Sequence, residues 1–265
     1  ENDEAPGAIS ITLDGTSDCL GTFTNVTGTV STGEPFPSCI GTDGYGIVWF
    51  KFTAPSSGHV KITNDFTVSG STVMGDSKIG LFDITDPSDY STFTIIACDD
   101  DNGVVSAGKS ILYAADLTPG TEYYIAVSGK TSGDVGEFCL NIQEVTTDHL
   151  STIGDCGTST PITGMNSDYN GWLSLVDDAG RLMALVRPNS FSGTGSFGLE
   201  ASQYIHDGIV REDSMGTPYL DRNITINNTG NTITDADVRF YFLDTELADL
   251  DGVALSSVGV SKYAP

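Results

Sequence analysis

Short runs in which apolar and polar residues alternate cover much of the chain, and turn-forming residues separate them. Residues 8–14 (AISITLD) alternate in this way, and residues 46–55 (GIVWFKFTAP) are a strong strand pattern rich in β-branched and aromatic residues. A period of two places successive side chains on opposite faces, which is the pattern of a β-strand. The one helical pattern is short and covers residues 245–250 (TELADL). The chain is therefore predicted to be all-β.

Two groups of predicted strands divide the chain. About eight strands fall within residues 1–146, which is the content of one β-sandwich. Residues 147–168 are polar and rich in turn formers, and we interpret them as a linker that includes the entry strand of the next unit. Residues 169–265 supply a further set of strand patterns. We therefore expect two tandem β-sandwich domains.

Acidic residues dominate the charge of the chain. There are 36 Asp and Glu residues against 11 Lys and Arg residues, so the formal net charge is −25. Nucleic acids and anionic membranes are excluded as partners, because binding them requires a basic surface. A charge of this sign and size favours divalent cations as ligands, or a salty medium that screens the self-repulsion. No apolar run is long enough to form a transmembrane helix.

Signatures of catalysis are sparse. The chain has three histidines, His59, His149 and His206, and it contains neither a G-x-S-x-G nor an H-E-x-x-H motif. Residues 193–198 (GTGSFG) match G-x-G-x-x-G, but no helical pattern follows them, so a turn between strands is a better interpretation than nucleotide binding. We expect a protein that is not an enzyme.

The cysteines indicate the compartment in which the protein is found. Five cysteines without a C-x-x-C motif suggest disulfides in an oxidising compartment rather than a zinc site. Cys19 and Cys39 flank turn-rich segments ahead of the strand VWFKF, and we predict a disulfide between them. A second disulfide, between Cys98 and Cys139, requires their strands to lie close together. Cys156 is then the odd thiol. We expect an extracellular or cell-surface protein whose signal peptide has been removed.

Several motifs, in order along the chain, resemble the pre-peptidase C-terminal (PPC) type of β-sandwich. They are GIVWFKFTAPSSGHVKI, KIGLFD, ACDDDNG, LTPGTEYYIAVSG and GEFCLNI, and they span about residues 1–145. The version in secreted multidomain proteins of the Bacteroidetes is the most similar. The resemblance implies a jelly-roll-like sandwich attached to secreted peptidases, glycosidases or adhesins. Residues 169–263 resemble a second β module of the same type IX-secreted surface proteins.

The same resemblance implies a calcium site. Some PPC relatives hold calcium between an acidic N-terminal segment and the loop before the strand that matches VWFKF. Asn2 and Asp3 match the N-terminal part of this site, and Asp43 matches the loop. One departure is that Ala5 stands where these modules often carry a cysteine, which leaves the disulfide pattern open.

The stretch CDDDNG is a second candidate for cation binding. Three adjacent carboxylates repel one another, so either solvent or a cation must offset the repulsion. On a strand, Asp99 and Asp101 point the same way and Asp100 points the opposite way. The pattern predicts that Asp99 and Asp101 share one ion; a solvated loop is an equally weighted alternative.

Together these features favour a calcium-stabilised structural or adhesive protein that is part of a larger extracellular assembly. Self-assembly and other surface proteins are the expected partners. The alternative is a carbohydrate- or protein-binding accessory module of a secreted hydrolase, with a polysaccharide or a matrix protein as its ligand. For Trp172, a place in the core is a better interpretation than a sugar-binding platform. The tripeptide Asp213-Ser214-Met215 matches a short O-glycosylation pattern, which predicts a glycan on Ser214.

Overall fold

A computed structural model describes residues 2–13, 15–35, 44–70, 72–152, 154–206, 210–220, 222–248 and 250. The protein is all-β, as predicted, and its single described α-helix, α1 (Asp244–Ala248), overlaps the short helical pattern of the sequence. Three short 3-10 turns lie at Ala5–Gly7, Tyr90–Thr92 and Thr147–His149. Within the described ranges no helix has both the length and the apolarity needed to cross a bilayer.

The described residues of the first half of the chain form ten strands. They are β1 (Ile9–Ser10), β2 (Thr22–Thr24), β3 (Tyr45–Thr53), β4 (Val60–Thr63), β5 (Ser77–Ile84), β6 (Phe93–Asp100), β7 (Ile111–Ala114), β8 (Glu122–Gly129), β9 (Glu137–Cys139) and β10 (Asn141–Glu144). A five-stranded sheet has the order β1-β3-β8-β5-β6, and a three-stranded sheet has the order β10-β4-β7. Strands β2 and β9 pair separately. In the part of the first half that the structure describes, the ladders between these strands are antiparallel, except that of β1 with β3.

Strand β3 shows why the five-stranded sheet is buried on both faces. Val48 and Phe50 point into the main core, where they meet the three-stranded sheet. Ile47 and Trp49 point the other way into a smaller cluster that includes Ala5 of the N-terminal segment. Because apolar side chains occupy both faces, the strand is a continuous apolar run rather than an alternating one.

In the second half, nine strands lie within the ranges that the structure describes. They are β11 (Cys156–Thr158), β12 (Ile162–Asn166), β13 (Leu173–Val176), β14 (Leu182–Phe191), β15 (Ser196–Ile205), β16 (Arg211–Glu212), β17 (Pro218–Tyr219), β18 (Arg222–Gly230) and β19 (Ile233–Arg239). Strand β15 pairs with β11 and β12 and also with β18, while β13, β14 and β19 form a second sheet. Strands β16 and β17 form a separate hairpin.

The two halves share a hydrophobic core. Trp172, Val176 and Leu182 from the second half belong to the main cluster of the first half. The backbone of Trp172 also bonds to the outer edge of β6: its N–H donates to the carbonyl of Ile96 at 2.8 Å, and its carbonyl accepts from the N–H of Cys98 at 3.3 Å. The apolar contacts therefore continue across the predicted linker at residues 147–168, and the division into two domains stays a prediction.

The predicted disulfide pairings are wrong. Cys19 is bonded to Cys139, with 5.4 Å between their Cα atoms. The reason is the pairing of β2 with β9, which sets Thr22 opposite Cys139 and so carries the segment before β2 to that cysteine. Cys98 also takes part in a disulfide, and Cys39 lies outside the described residues. Cys156 is a free, exposed thiol, as predicted.

Candidate metal site

Four charged residues meet at one end of the five-stranded sheet. Asp76 precedes β5, Asp100 ends β6 and is followed by Asp101, and Lys130 follows β8. The antiparallel register joins these ends, because Lys78 of β5 lies opposite both Asp100 of β6 and Ser128 of β8. Residues that are distant in sequence are therefore neighbours at one sheet end.

The carboxylates of Asp76, Asp100 and Asp101 form a compact group, called here the acidic triad. Each offers one oxygen, and these oxygens lie within 4.8 Å of one another. The ammonium of Lys130 is 2.6 Å from an oxygen of Asp101, 3.4 Å from Asp100 and 3.5 Å from Asp76. Lys78 of β5, which is buried opposite Asp100, also attracts that carboxylate. Within the group formed by the triad and Lys130, three carboxylates exceed one ammonium when all four groups are ionised.

Asp100 is the unusual member of the triad. Its side chain is fully buried, and neither of its carboxylate oxygens has a hydrogen-bond partner. Burial, followed by repulsion from Asp101, raises the pKa of Asp100 to about 7 in spite of the attraction of Lys130. Burial and repulsion from Asp101 also raise the pKa of Asp76, one of whose oxygens is buried without a hydrogen-bond partner. A buried carboxylate without donors is costly unless a cation offsets it.

The acidic triad has the chemistry of a hard-cation site. Calcium binds six to eight oxygens at about 2.3–2.6 Å, so two of its ligands stand up to about 5 Å apart. The spacing within the triad falls inside that limit. Carboxylate oxygens are the only side-chain ligands that the triad supplies, and this excludes the nitrogen and sulfur environments that zinc and copper prefer.

Asp99 has a different role from the one that the strand pattern predicted. Its carboxylate is buried and accepts hydrogen bonds from the backbone N–H of Ile111 at 2.8 Å, and from the backbone N–H and the side-chain amide of Asn102. Burial raises the pKa of Asp99 well above its usual range, although the bond from Ile111 opposes the shift. The side-chain amide of Asn102 also donates to the carbonyl of Ser174 at 2.8 Å, so this network joins the two halves.

The alternation rule failed at Asp101 because the strand ends there. Asp101 has a φ of 82°, a left-handed conformation in which successive side chains no longer alternate across a sheet. Its carboxylate therefore joins those of Asp100 and Asp76 in the acidic triad. No feature of the sequence identified Asp76 or Lys130, because only the strand register brings them to this end of the sheet.

The N-terminal residues that the family resemblance singled out are bound to the fold by hydrogen bonds. The backbone carbonyl of Asn2 accepts from the N–H of Trp49 at 2.7 Å, and its side-chain amide donates to the carbonyl of Trp49 at 3.1 Å. Asp3 accepts from the backbone N–H and the hydroxyl of Thr29 at 2.5 and 2.8 Å. Asp43 lies outside the described residues, so calcium binding by this set stays a prediction.

Two further candidates have clear places in the structure. Trp172 is buried, with the guanidinium groups of Arg187 and Arg239 at 5.0 and 4.2 Å from the centre of its ring, so it is a core residue as interpreted above. Ser214 is exposed between β16 and β17, where Asp213 accepts the backbone N–H of Met215 and of Thr217. This position makes the hydroxyl accessible, and its glycosylation stays a prediction.

Comparisons of the chain with protein-family models, with curated proteins and with solved structures find no match. The PPC resemblance therefore stays a prediction from the motifs, and the argument for function below depends on the site itself.

Proposed function

We propose that this chain is a secreted or cell-surface structural protein, without catalytic activity, that calcium stabilises at the acidic triad. The observation that carries the proposal is Asp100, a fully buried carboxylate with no hydrogen-bond donor and two further carboxylates beside it. A bound divalent cation would supply the charge that this position lacks, and it would hold the ends of β5 and β6 together.

The composition supports this role. A formal net charge of −25 attracts divalent cations over the whole surface, and the triad concentrates that charge at one buried point. The disulfide between Cys19 and Cys139 suits an oxidising environment outside the cell. An all-β fold with many sheet edges also suits a unit of an extracellular assembly.

The ammonium of Lys130 would compete with calcium for the three carboxylates of the triad. Its ammonium already contacts all three carboxylates, and burial alone would lower the pKa of Lys130, but its hydrogen bond to Asp101 and the neighbouring acids raise it. Calcium binding at the triad would displace this ammonium toward solvent, which its partly exposed side chain allows. Removing the positive charge should therefore strengthen calcium binding.

The experiment compares thermal melting and calorimetric titration of the full chain in calcium and in chelator at matched ionic strength. A ligand that binds only the folded state stabilises it by about 2.7 kcal/mol at a hundred times Kd. We expect a higher melting temperature in calcium. The shift should be absent in Asp100→Asn and Asp101→Asn, and Lys130→Gln should lower the Kd.

Asp178→Asn is the matched control, because Asp178 is an exposed carboxylate that is not a member of the triad. It should keep the full response to calcium. Equal melting temperatures in calcium and chelator, together with no heat of binding, would rule out the calcium site. Selective, saturable binding of the chain to one polysaccharide or matrix protein would contradict the structural role and favour the accessory-module alternative.

A further inference from the structure

His149 lies in the turn that joins the two halves of the chain. This turn, residues 146–150, is called here the junction turn. Its last residue, Leu150, forms a bridge with Leu182 of β14, and the N–H of Ser151 donates to the carbonyl of Leu182 at 3.3 Å. The junction turn therefore sets where the second half begins on the first.

The ring of His149 closes the junction turn through a hydrogen bond to the backbone. Its Nδ1 accepts from the N–H of Thr146 at 3.0 Å, and the hydroxyl of Thr146 lies 3.1 Å from the same nitrogen. Glutamate or glutamine usually occupies this position of a capping box, because a side chain three residues after the N-cap can accept from the N-cap N–H. The bond requires a lone pair on Nδ1.

A second contact fixes which ring nitrogen carries the proton. The side-chain amide of Gln143 donates to the carbonyl of Thr16, and its oxygen lies 3.4 Å from Nε2 of His149. Because that oxygen can only accept, Nε2 carries the proton and Nδ1 does not. The two contacts together require the neutral ring.

We propose that His149 makes the junction between the two halves sensitive to pH: the neutral ring holds the junction turn closed, and protonation of Nδ1 opens it in mild acid. A protonated Nδ1 directs a hydrogen at the N–H of Thr146, so two donors face each other and this bond is lost. The hydroxyl of Thr146 can accept from the charged ring, but its backbone N–H cannot. The inference goes beyond the proposed function and is independent of calcium binding.

The surroundings of the ring disfavour its charged form. Burial lowers the pKa of His149, and the ammonium of Lys61 lowers it further, in spite of the opposing charge of Asp148. Lys61 belongs to β4 and lies over the ring of Tyr113, whose centre is 6.5 Å from that of His149. The closed turn is therefore the stable form at neutral pH.

Other charged groups face the ring from the neighbouring elements. Asp65 and Asp177 attract Lys61. His149 also lines an open cleft, through which protons from solvent reach the ring. The other charged residues that line this cleft, among those that the structure describes, are Lys51 of β3, Glu122 of β8, Glu144 of β10 and Asp148 of the junction turn.

The sign of the pH effect follows from the lowered pKa. An unfolded histidine titrates near pH 6.5, and the folded pKa of His149 is lower. The contribution of His149 to stability is therefore present above pH 6.5 and is lost as the pH falls through the folded pKa.

The test measures thermal melting of the full chain in chelator at pH 7.5 and at pH 5.0. His149→Gln keeps an acceptor for the N–H of Thr146 but cannot be protonated. Relative to pH 7.5, its melting temperature at pH 5.0 should therefore be higher than that of the unmodified chain by about 2–4 °C. His149→Ala should melt lower at both pH values and show the same reduced response to acid. Asp100 and the other buried acids are common to all these proteins, so their contributions cancel in the comparison.

His206→Gln is the matched control, because His206 follows β15 in the second half, with its ring 6.2 Å from that of Tyr204. It should keep the pH response of the unmodified chain. Hydrogen exchange reports on the junction itself. At pH 5.0 the N–H groups of Thr146 and Ser151 should exchange faster in the unmodified chain than in His149→Gln, and at pH 7.5 they should exchange equally.

Three outcomes would overturn the proposal. The first is an equal pH response of melting in the unmodified chain and in His149→Gln. The second is equal exchange of Thr146 and Ser151 in these two proteins at pH 5.0. The third is an NMR titration that places the pKa of His149 at or above the usual value of about 6.5.

Discussion

At the scale of single residues, the three adjacent aspartates have two different structural roles. Asp99 points inward and accepts three hydrogen bonds that close the loop to Ile111 and, through Asn102, reach the second half. Asp100 and Asp101 turn to the opposite side and join Asp76. The mutual repulsion of adjacent carboxylates is thus reduced by separating them on two sides of the chain, and Lys130 offsets only part of what remains.

The pKa of Asp100 predicts how the calcium-free protein responds to pH. Its pKa is raised from 3.8 to about 7 on folding, so its contribution to stability is present below pH 4 and is lost as the pH rises through 7. Between pH 6 and pH 8 this loss is about 1.4 kcal/mol. In chelator, the unmodified chain should therefore melt at a higher temperature at pH 6 than at pH 8.

Asp99, Asp76 and Glu34 also have raised pKa values, and burial lowers the pKa of His149, which acts in the opposite direction between pH 6 and pH 8. The comparison with Asp100→Asn therefore isolates the contribution of Asp100. The slope of that variant between pH 6 and pH 8 should be smaller by the share that Asp100 contributes, about 1.4 kcal/mol, and Asp178→Asn should keep the full slope. An equal slope in the unmodified chain and in Asp100→Asn would show that Asp100 is not the group that titrates.

At the scale of elements, the disulfide secures a small pair of strands. Strands β2 and β9 share only three residue pairs, and so short a ladder is marginal by itself. The bond between Cys19 and Cys139 closes a loop with a sequence separation of 120, and long loops lose the most unfolded-state entropy when they are closed. The covalent link therefore supports a sheet that hydrogen bonds alone would leave marginal.

Removal of this disulfide should destabilise the protein measurably. Replacing Cys19 and Cys139 together by serine should lower the free energy of unfolding by about 2–5 kcal/mol in denaturant titration. Cys156→Ser is the control and should change it by less than about 0.5 kcal/mol, because Cys156 is free and exposed. Similar stability of all three proteins would mean that the bond adds nothing to the fold.

At the scale of the whole molecule, the two halves are coupled by Trp172. Its side chain lies in the core of the first half beneath two arginines, and its backbone extends the edge of β6. The hydroxyl of Tyr113 adds a hydrogen bond of 2.7 Å to the carbonyl of Gly180, and Asn102 adds one to Ser174. Loss of the contacts that Trp172 makes should therefore destabilise both halves.

Trp172→Ala should lower the free energy of unfolding by about 3–5 kcal/mol, the usual cost of removing a large buried aromatic side chain. Hydrogen exchange should become faster in β6 and in β13 alike. Tyr204→Ala, which removes an aromatic side chain that is 47% exposed, should have little effect on either strand. Faster exchange confined to β13 would show that the halves unfold independently.

The sequence by itself determined the class of fold and most strand positions, because alternation, turn residues and β-branched content are local properties of the chain. It also offered the acidic run at Asp99–Asp101 as a second candidate for cation binding, with a solvated loop as the alternative. Only the tertiary structure decided which acids meet, since Asp76 and Lys130 reach Asp100 through strand register across three strands. The pairing of Cys19 with Cys139 has the same origin, because the contact of β2 with β9 joins residues that no local pattern relates. Register and long-range pairing arise from the packing of the whole core, and that packing is not encoded at any one site in the sequence.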